Sequence, residues 1–212
     1  MLEPAILSDL RGRYAEPHRI CHDWARVAEM LAMAEDLAHA IAERGAFIVA
    51  VLFHKSIFDR RLPDWAERSA ALMHKALGAR WPAPMLARAE ALILAVAVQE
   101  LPPTRDASLR GDAALLLDID NAVLGEAPAR FDAHEAAFRR EYAHLPDDAY
   151  AAGRAASLEM LTWRERVYLT DRFYLEREKP ARRNIERAVA SLRGSGTGKS
   201  LIPRNIPARF RG

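Results

Sequence analysis

Apolar residues recur along this chain at the spacing of one helix face. Trp24, Val27, Leu31, Ala34, Leu37 and Ile41 fall three or four positions apart, the interval at which side chains return to the same side of an α-helix. Gly45 reads as the stop of that segment. Asp64-x-x-Glu67 reads as an acidic capping pair for a helix ending near Gly78. Pro82 and Pro102 bracket another helical segment, and Gly125 and Pro128 separate two more. Ala46 to His54 is an apolar run too short for periodicity to assign. No glycine-rich hairpin turn joins alternating strand patterns, and no internal repeat is present. The expected fold class is all-α.

A chain of 212 residues, half of them apolar, can fill one sizeable core and is short for two. The expectation is one helical domain over residues 1–192 and a basic, disordered tail over 193–212. Five of the 31 basic residues and none of the 29 acidic ones lie in that tail, which leaves the body with 26 basic against 29 acidic side chains. The body is therefore not a nucleic-acid surface by charge, and only the tail could be one. No apolar run approaches the length that spans a bilayer, and Met1-Leu2-Glu3-Pro4 carries neither a basic leader nor an apolar signal core. The single Cys21 cannot form an internal disulfide. Together these features predict a cytoplasmic protein without a membrane partner. Gly194-Ser195-Gly196-Thr197-Gly198-Lys199-Ser200 looks at first like a phosphate-binding loop, but Arg193 stands where the first glycine is required and Pro203 interrupts the helix that should follow.

Five motifs stand in order between residues 13 and 190. The first is Arg13-Tyr14-Ala15-Glu16-Pro17-His18-Arg19-Ile20-Cys21-His22. The second is Phe53-His54-Lys55-Ser56-Ile57-Phe58-Asp59, followed by Arg68-Ser69-Ala70. Leu117-Asp118-Ile119-Asp120-Asn121-Ala122-Val123-Leu124-Gly125 is the third, and Arg139-Arg140-Glu141-Tyr142 the fourth; Ala181-Arg182-Arg183-Asn184-Ile185 closes the series. In residues and spacing this series resembles the HD superfamily of metal-dependent phosphohydrolases, in particular a bacterial family with Phe-His-Asp-x-(Val/Ile)-Tyr-Asp at the second motif. The resemblance implies a single HD-type helical domain in which the run to His54 is a buried helix ending at the site.

The resemblance also implies roles for particular positions. His22 matches a proton donor to the leaving group, and Arg26 stands where a metal-binding histidine is usual, four residues on and on the same helix face. A guanidinium offers no lone pair to a metal. His54 matches the histidine of the His-Asp pair, but Lys55 replaces the aspartate, and an ammonium repels a divalent cation. Asp120 matches the remaining carboxylate ligand, with Asp118 the nearby alternative. Trp65-Ala66 replaces the family's Asn-Glu, and Val96-Ala97-Val98-Gln99 its Thr-x-x-His.

These substitutions lead to one expectation and one rival. The expectation is a metal-free, non-catalytic phosphohydrolase-like protein. Arg26 and Lys55 replace the ion, Asp120 or Asp118 pairs with one of them, and the same cations, with His22 and Arg19, can hold a phosphate or another small anion. The rival is a working hydrolase of nucleotides or other phosphorylated small molecules, with Mn, Fe, Zn or Mg held by His54, Asp120, Asp118 and carboxylates such as Asp23, Asp59 or Glu67. His39, His74, His134 and His144 have no ligand-like spacing, and Glu90 and Glu100 read as solvated helix charges.

Overall fold

Residues 2–59 and 61–194 are described by the computed structural model, and every regular element among them is helical. The first helices are α1 (Pro4–Tyr14), α2 (Trp24–Asp36), α3 (Arg44–Phe53), α4 (Trp65–Leu77), α5 (Ala83–Val98) and α6 (Ala107–Asp120); α7 (Pro128–Glu141), α8 (Asp147–Thr162) and α9 (Asp171–Gly194) follow. Short 3₁₀ turns occupy Ala38–Ala40 and Ala122–Gly125. The chain gathers into two compact units, Met1–Ala122 and Val123–Gly212. No helix among the described residues is long and apolar enough to cross a membrane.

The first unit is organised by α5, against which α3, α4 and α6 all pack. Its Leu86, Ala89, Leu92, Ile93, Ala95 and Val96 are buried. The unassigned apolar run becomes α3, with seven of its ten residues buried, which is why it lacks a two-sided pattern: a helix covered on most sides has no polar face to alternate with. His54 forms its C-cap and so begins the loop that enters the site.

Two boundaries differ from the sequence expectation. The periodic segment from Trp24 stops at Asp36 rather than running to Ile41, and Gly45 lies inside α3 instead of ending a helix. The cause is Asp112 on α6, buried to 1 % exposure. Its two oxygens accept the amides of Ala42 and Glu43, at 2.8 and 3.1 Å, and the guanidinium of Arg88. That carboxylate fixes the turn and the start of α3 where no local signal points to one. Gly45 serves close packing: a Cβ there would lie 3.2 Å from the Met85 thioether. Asp64 does precede α4, but its carboxylate binds Arg68 instead of capping an amide.

The second unit holds α7 to α9, with α8 packed on α9. Glu178 and Arg182, one turn apart on α9, tie down the connection from α8. Glu178, 6 % exposed, accepts the amides of Val167 and Tyr168, while Arg182 donates to the carbonyls of Thr162, Arg164 and Glu165. Asn184 donates to the carbonyls of Leu124 and Glu126, both at 2.9 Å, and thereby holds the turn at Gly125. At that glycine a Cβ would meet the Arg177 backbone oxygen at 2.9 Å, so the Leu-Gly and Arg-Arg-Asn motifs serve one close approach. α9 continues to Gly194, two residues past the expected boundary, and Arg193 pairs with Glu159. The remainder of the glycine-rich run and of the basic tail, residues 195–212, lies outside the described residues.

Candidate functional site

The α3 C-terminus, the start of α2, the end of α5 and the end of α6 converge on Asp120. Lys55 Nζ donates to Asp120 Oδ1 at 3.0 Å, and each of the two side chains is 10 % exposed. His54 Nε2 lies 3.9 Å from the same oxygen, and its side chain is 2 % exposed. On the other side of the ring, Nδ1 sits 2.7 Å from the Val51 carbonyl. A carbonyl only accepts, so Nδ1 carries the proton and Nε2 turns its lone pair toward the Lys55–Asp120 pair. Burial, reinforced by the positive charge of Lys55, lowers the His54 pKa to about 3, so the imidazole is neutral throughout the physiological range.

Asp120 responds in the opposite sense. Burial alone would raise its carboxyl, but the adjacent charges, Lys55 foremost, outweigh burial and hold it well below the usual carboxylate range. Its second oxygen accepts from Gln99 Nε2 at 3.3 Å. The carboxylate is therefore ionised and engaged on both oxygens.

Arg26 approaches the same region by another route. Its Nη2 donates to the carbonyls of Ile119 and Asp120, both at 2.8 Å, and its Nη1 to Glu29 at 3.3 Å. It thus caps the C-terminus of α6, where unpaired carbonyls and the negative end of the helix dipole favour a cation. Lys55, not Arg26, meets the Asp120 carboxylate.

Arg19 has a fully buried side chain that is spent within the fold. It donates to Glu16 at 3.0 Å, to the Lys55 carbonyl at 2.6 Å and to the Ser56 carbonyl at 3.2 Å. The guanidinium carbon also lies 4.9 Å from the Tyr14 ring centre. This placement makes Arg19 a brace for the loop after His54. Tyr14 works beside it, donating to the Leu52 carbonyl at 3.1 Å and accepting the Lys55 amide at 3.3 Å; burial raises its hydroxyl far above the ordinary range.

His22 is placed differently from the expectation that it shares a helix face with position 26. α2 begins at Trp24, because the Asp23 carboxylate accepts the Arg26 amide and caps it. His22 therefore lies in the turn ahead of the helix. It is half-buried, with Nδ1 3.3 Å from Cys21 Sγ and its ring centre 4.6 Å from that of Phe58. Asp118 is buried at 1 % exposure. Of the rival's extra carboxylates, Asp23 is a helix cap, Asp59 is held by Arg61 and lowered to about 2 by those bonds, and Glu67 is an exposed residue of the first turn of α4.

The sequence carried His54, Lys55, Asp120 and Arg26 through their motifs. It registered Gln99 only as a departure from a pattern and gave Tyr14 no role, although Tyr14 stands inside the first motif. No protein-family model, curated protein or solved structure matches this chain.

Proposed function

We propose that this chain is an HD-phosphohydrolase-like protein that holds its former metal position with a side-chain cation and does not hydrolyse phosphate esters. The observation that carries the reading is the ammonium of Lys55 on Asp120 Oδ1, beside Nε2 of His54 at 3.9 Å from the same oxygen. Those two acceptors are what a divalent ion would bind, and an ammonium bonded to one of them takes its place in charge and in position. The residues do not suit a metal: two ligand types are joined by two fixed cations, Asp23 caps α2, Asp59 is held by Arg61, and Glu67 is exposed on the first turn of α4.

Metal content tests this directly. Protein purified without chelator is expected to carry no stoichiometric Mn, Fe, Zn or Ni, and about one ion per chain bound at His54 would overturn the reading. The double change Arg26→His with Lys55→Asp should convert the site. Mn²⁺ at a hundredfold excess over its dissociation constant should then stabilise the variant by about 2.7 kcal/mol and raise its melting temperature, while the parent stays unaffected. A double variant indifferent to metal would show that positions 26 and 55 do not line an ion site.

The ligand class that fits is a small phosphate-containing or other anionic molecule. Lys55 has three N–H donors, of which Asp120 takes one, and its side chain reaches the surface by about a tenth of its area. Millimolar inorganic phosphate is expected to raise the melting temperature of the parent and not of Lys55→Met. Equal shifts in both proteins would remove Lys55 from anion binding.

A further inference from the structure

Gln99 is the one non-glycine residue of positive φ among those described, at φ 55° and ψ 36°. It ends α5 in the left-handed region, which disfavours a side chain with a Cβ and in which glycine or asparagine is the usual occupant. A helix stop alone gives no reason for glutamine there. Its amide is committed at both ends. Nε2 donates to the Val96 carbonyl at 3.0 Å and to Asp120 Oδ2 at 3.3 Å, while Oε1 accepts from Asn121 Nδ2 at 2.7 Å. Asn121 in turn donates to the Leu117 carbonyl at 3.0 Å, so the amide is anchored to α6 by a second residue.

The consequence falls on Asp120. A carboxylate held only through Oδ1 can rotate about its side-chain bonds; with Oδ2 fixed by Gln99 and Oδ1 by Lys55, both its position and its rotation are set. We propose that Gln99 is a positioning residue for Asp120, and that the strained backbone at residue 99 is retained because it delivers this amide, aiming Oδ1 at Lys55. Glycine would end α5 with less strain but deliver no amide. The inference rests on the closed Lys55–Asp120 pair proposed above, which deepens from a two-residue contact into a three-residue device.

A double-mutant cycle in the full-length protein tests it, with unfolding constants read from urea denaturation at neutral pH for the parent, Gln99→Gly, Lys55→Met and both changes together. The expected result is that Gln99→Gly fails to gain the stability that relief of a left-handed residue should bring, and that Lys55→Met raises the unfolding constant by a factor about fivefold smaller in the Gln99→Gly background than in the parent. A Gln99→Gly protein that is more stable than the parent, with an unchanged Lys55→Met effect, would overturn the proposal and leave Gln99 as a helix stop. Should Lys55→Met fold too poorly to measure, Asp120→Asn supplies the second arm with the same two outcomes. The two readings fail separately. If Lys55→Met has no effect in either background, the closed ion pair itself is wrong and Gln99 loses its role with it; an equal and substantial effect in both removes Gln99 alone.

Discussion

Replacing Lys55 by methionine should cost about 3 kcal/mol of folding stability at neutral pH, measured by urea denaturation. Methionine keeps much of the lysine volume, so the loss isolates the charge. Asp120 is only 10 % exposed, and removing the cation leaves an ionised carboxylate with the Gln99 amide as its remaining side-chain donor. Breaking a buried ion pair from one side typically costs 3–5 kcal/mol, and the slight exposure puts this case at the lower end. The companion double change, Lys55→Met with Asp120→Leu, should recover most of that loss, because an apolar pair of similar volume leaves no charge to strand. A single variant within about 0.5 kcal/mol of the parent would show that Lys55 is not what balances Asp120.

Acid should destabilise the fold through His54 in a window well above the carboxylate range. The folded-state pKa is lowered to about 3, whereas an unfolded histidine titrates near 6.5. As pH falls below about 6.5 the unfolded chain takes up a proton that the folded chain refuses, so stability is complete above that pH and is lost progressively toward pH 3. The slope is about 1.4 kcal/mol per pH unit, which gives a loss of about 2–3 kcal/mol by pH 4.5. Asp120 acts in the same direction but only below its unfolded value near 3.9, so it leaves that interval untouched. The check is the stability difference between parent and His54→Gln at pH 7 and pH 4.5. It should shrink by roughly the amount stated, and a difference independent of pH would mean that the imbalance in proton uptake lies elsewhere.

The helical architecture was legible because it rests on short-range physics. The apolar spacing from Trp24 and the proline at the start of α7 each describe a preference that the chain expresses over a turn or two, whereas the run that becomes α3 carries no such period. Such preferences mislead where a distant group decides. Gly45 carries the mark of a helix stop, yet its use is to let Met85 approach α3. α2 ends five residues early because Asp112, seventy positions from Ala42, accepts the amides that set up the next helix. Asp64 has the residue type of a cap but spends its carboxylate on Arg68.

The site divides along the same line. Residue chemistry alone determined that an arginine at 26 and a lysine at 55 cannot be metal ligands and that either could balance a nearby carboxylate. Which one does so is a matter of a few ångströms. α6 ends where the guanidinium of Arg26 meets two of its last carbonyls, and that leaves the side chain of Asp120 to the ammonium of Lys55. Arg19 is drawn inward by the Lys55 and Ser56 carbonyls and the Tyr14 ring, partners that its own motif does not announce. Gln99 joins the site through a backbone angle that no neighbouring residue in the sequence announces. Charge and donor type belong to the residue and are present in the chain from the start; the partner each charge finds depends on distances between segments tens of residues apart, and packing of the core sets those distances.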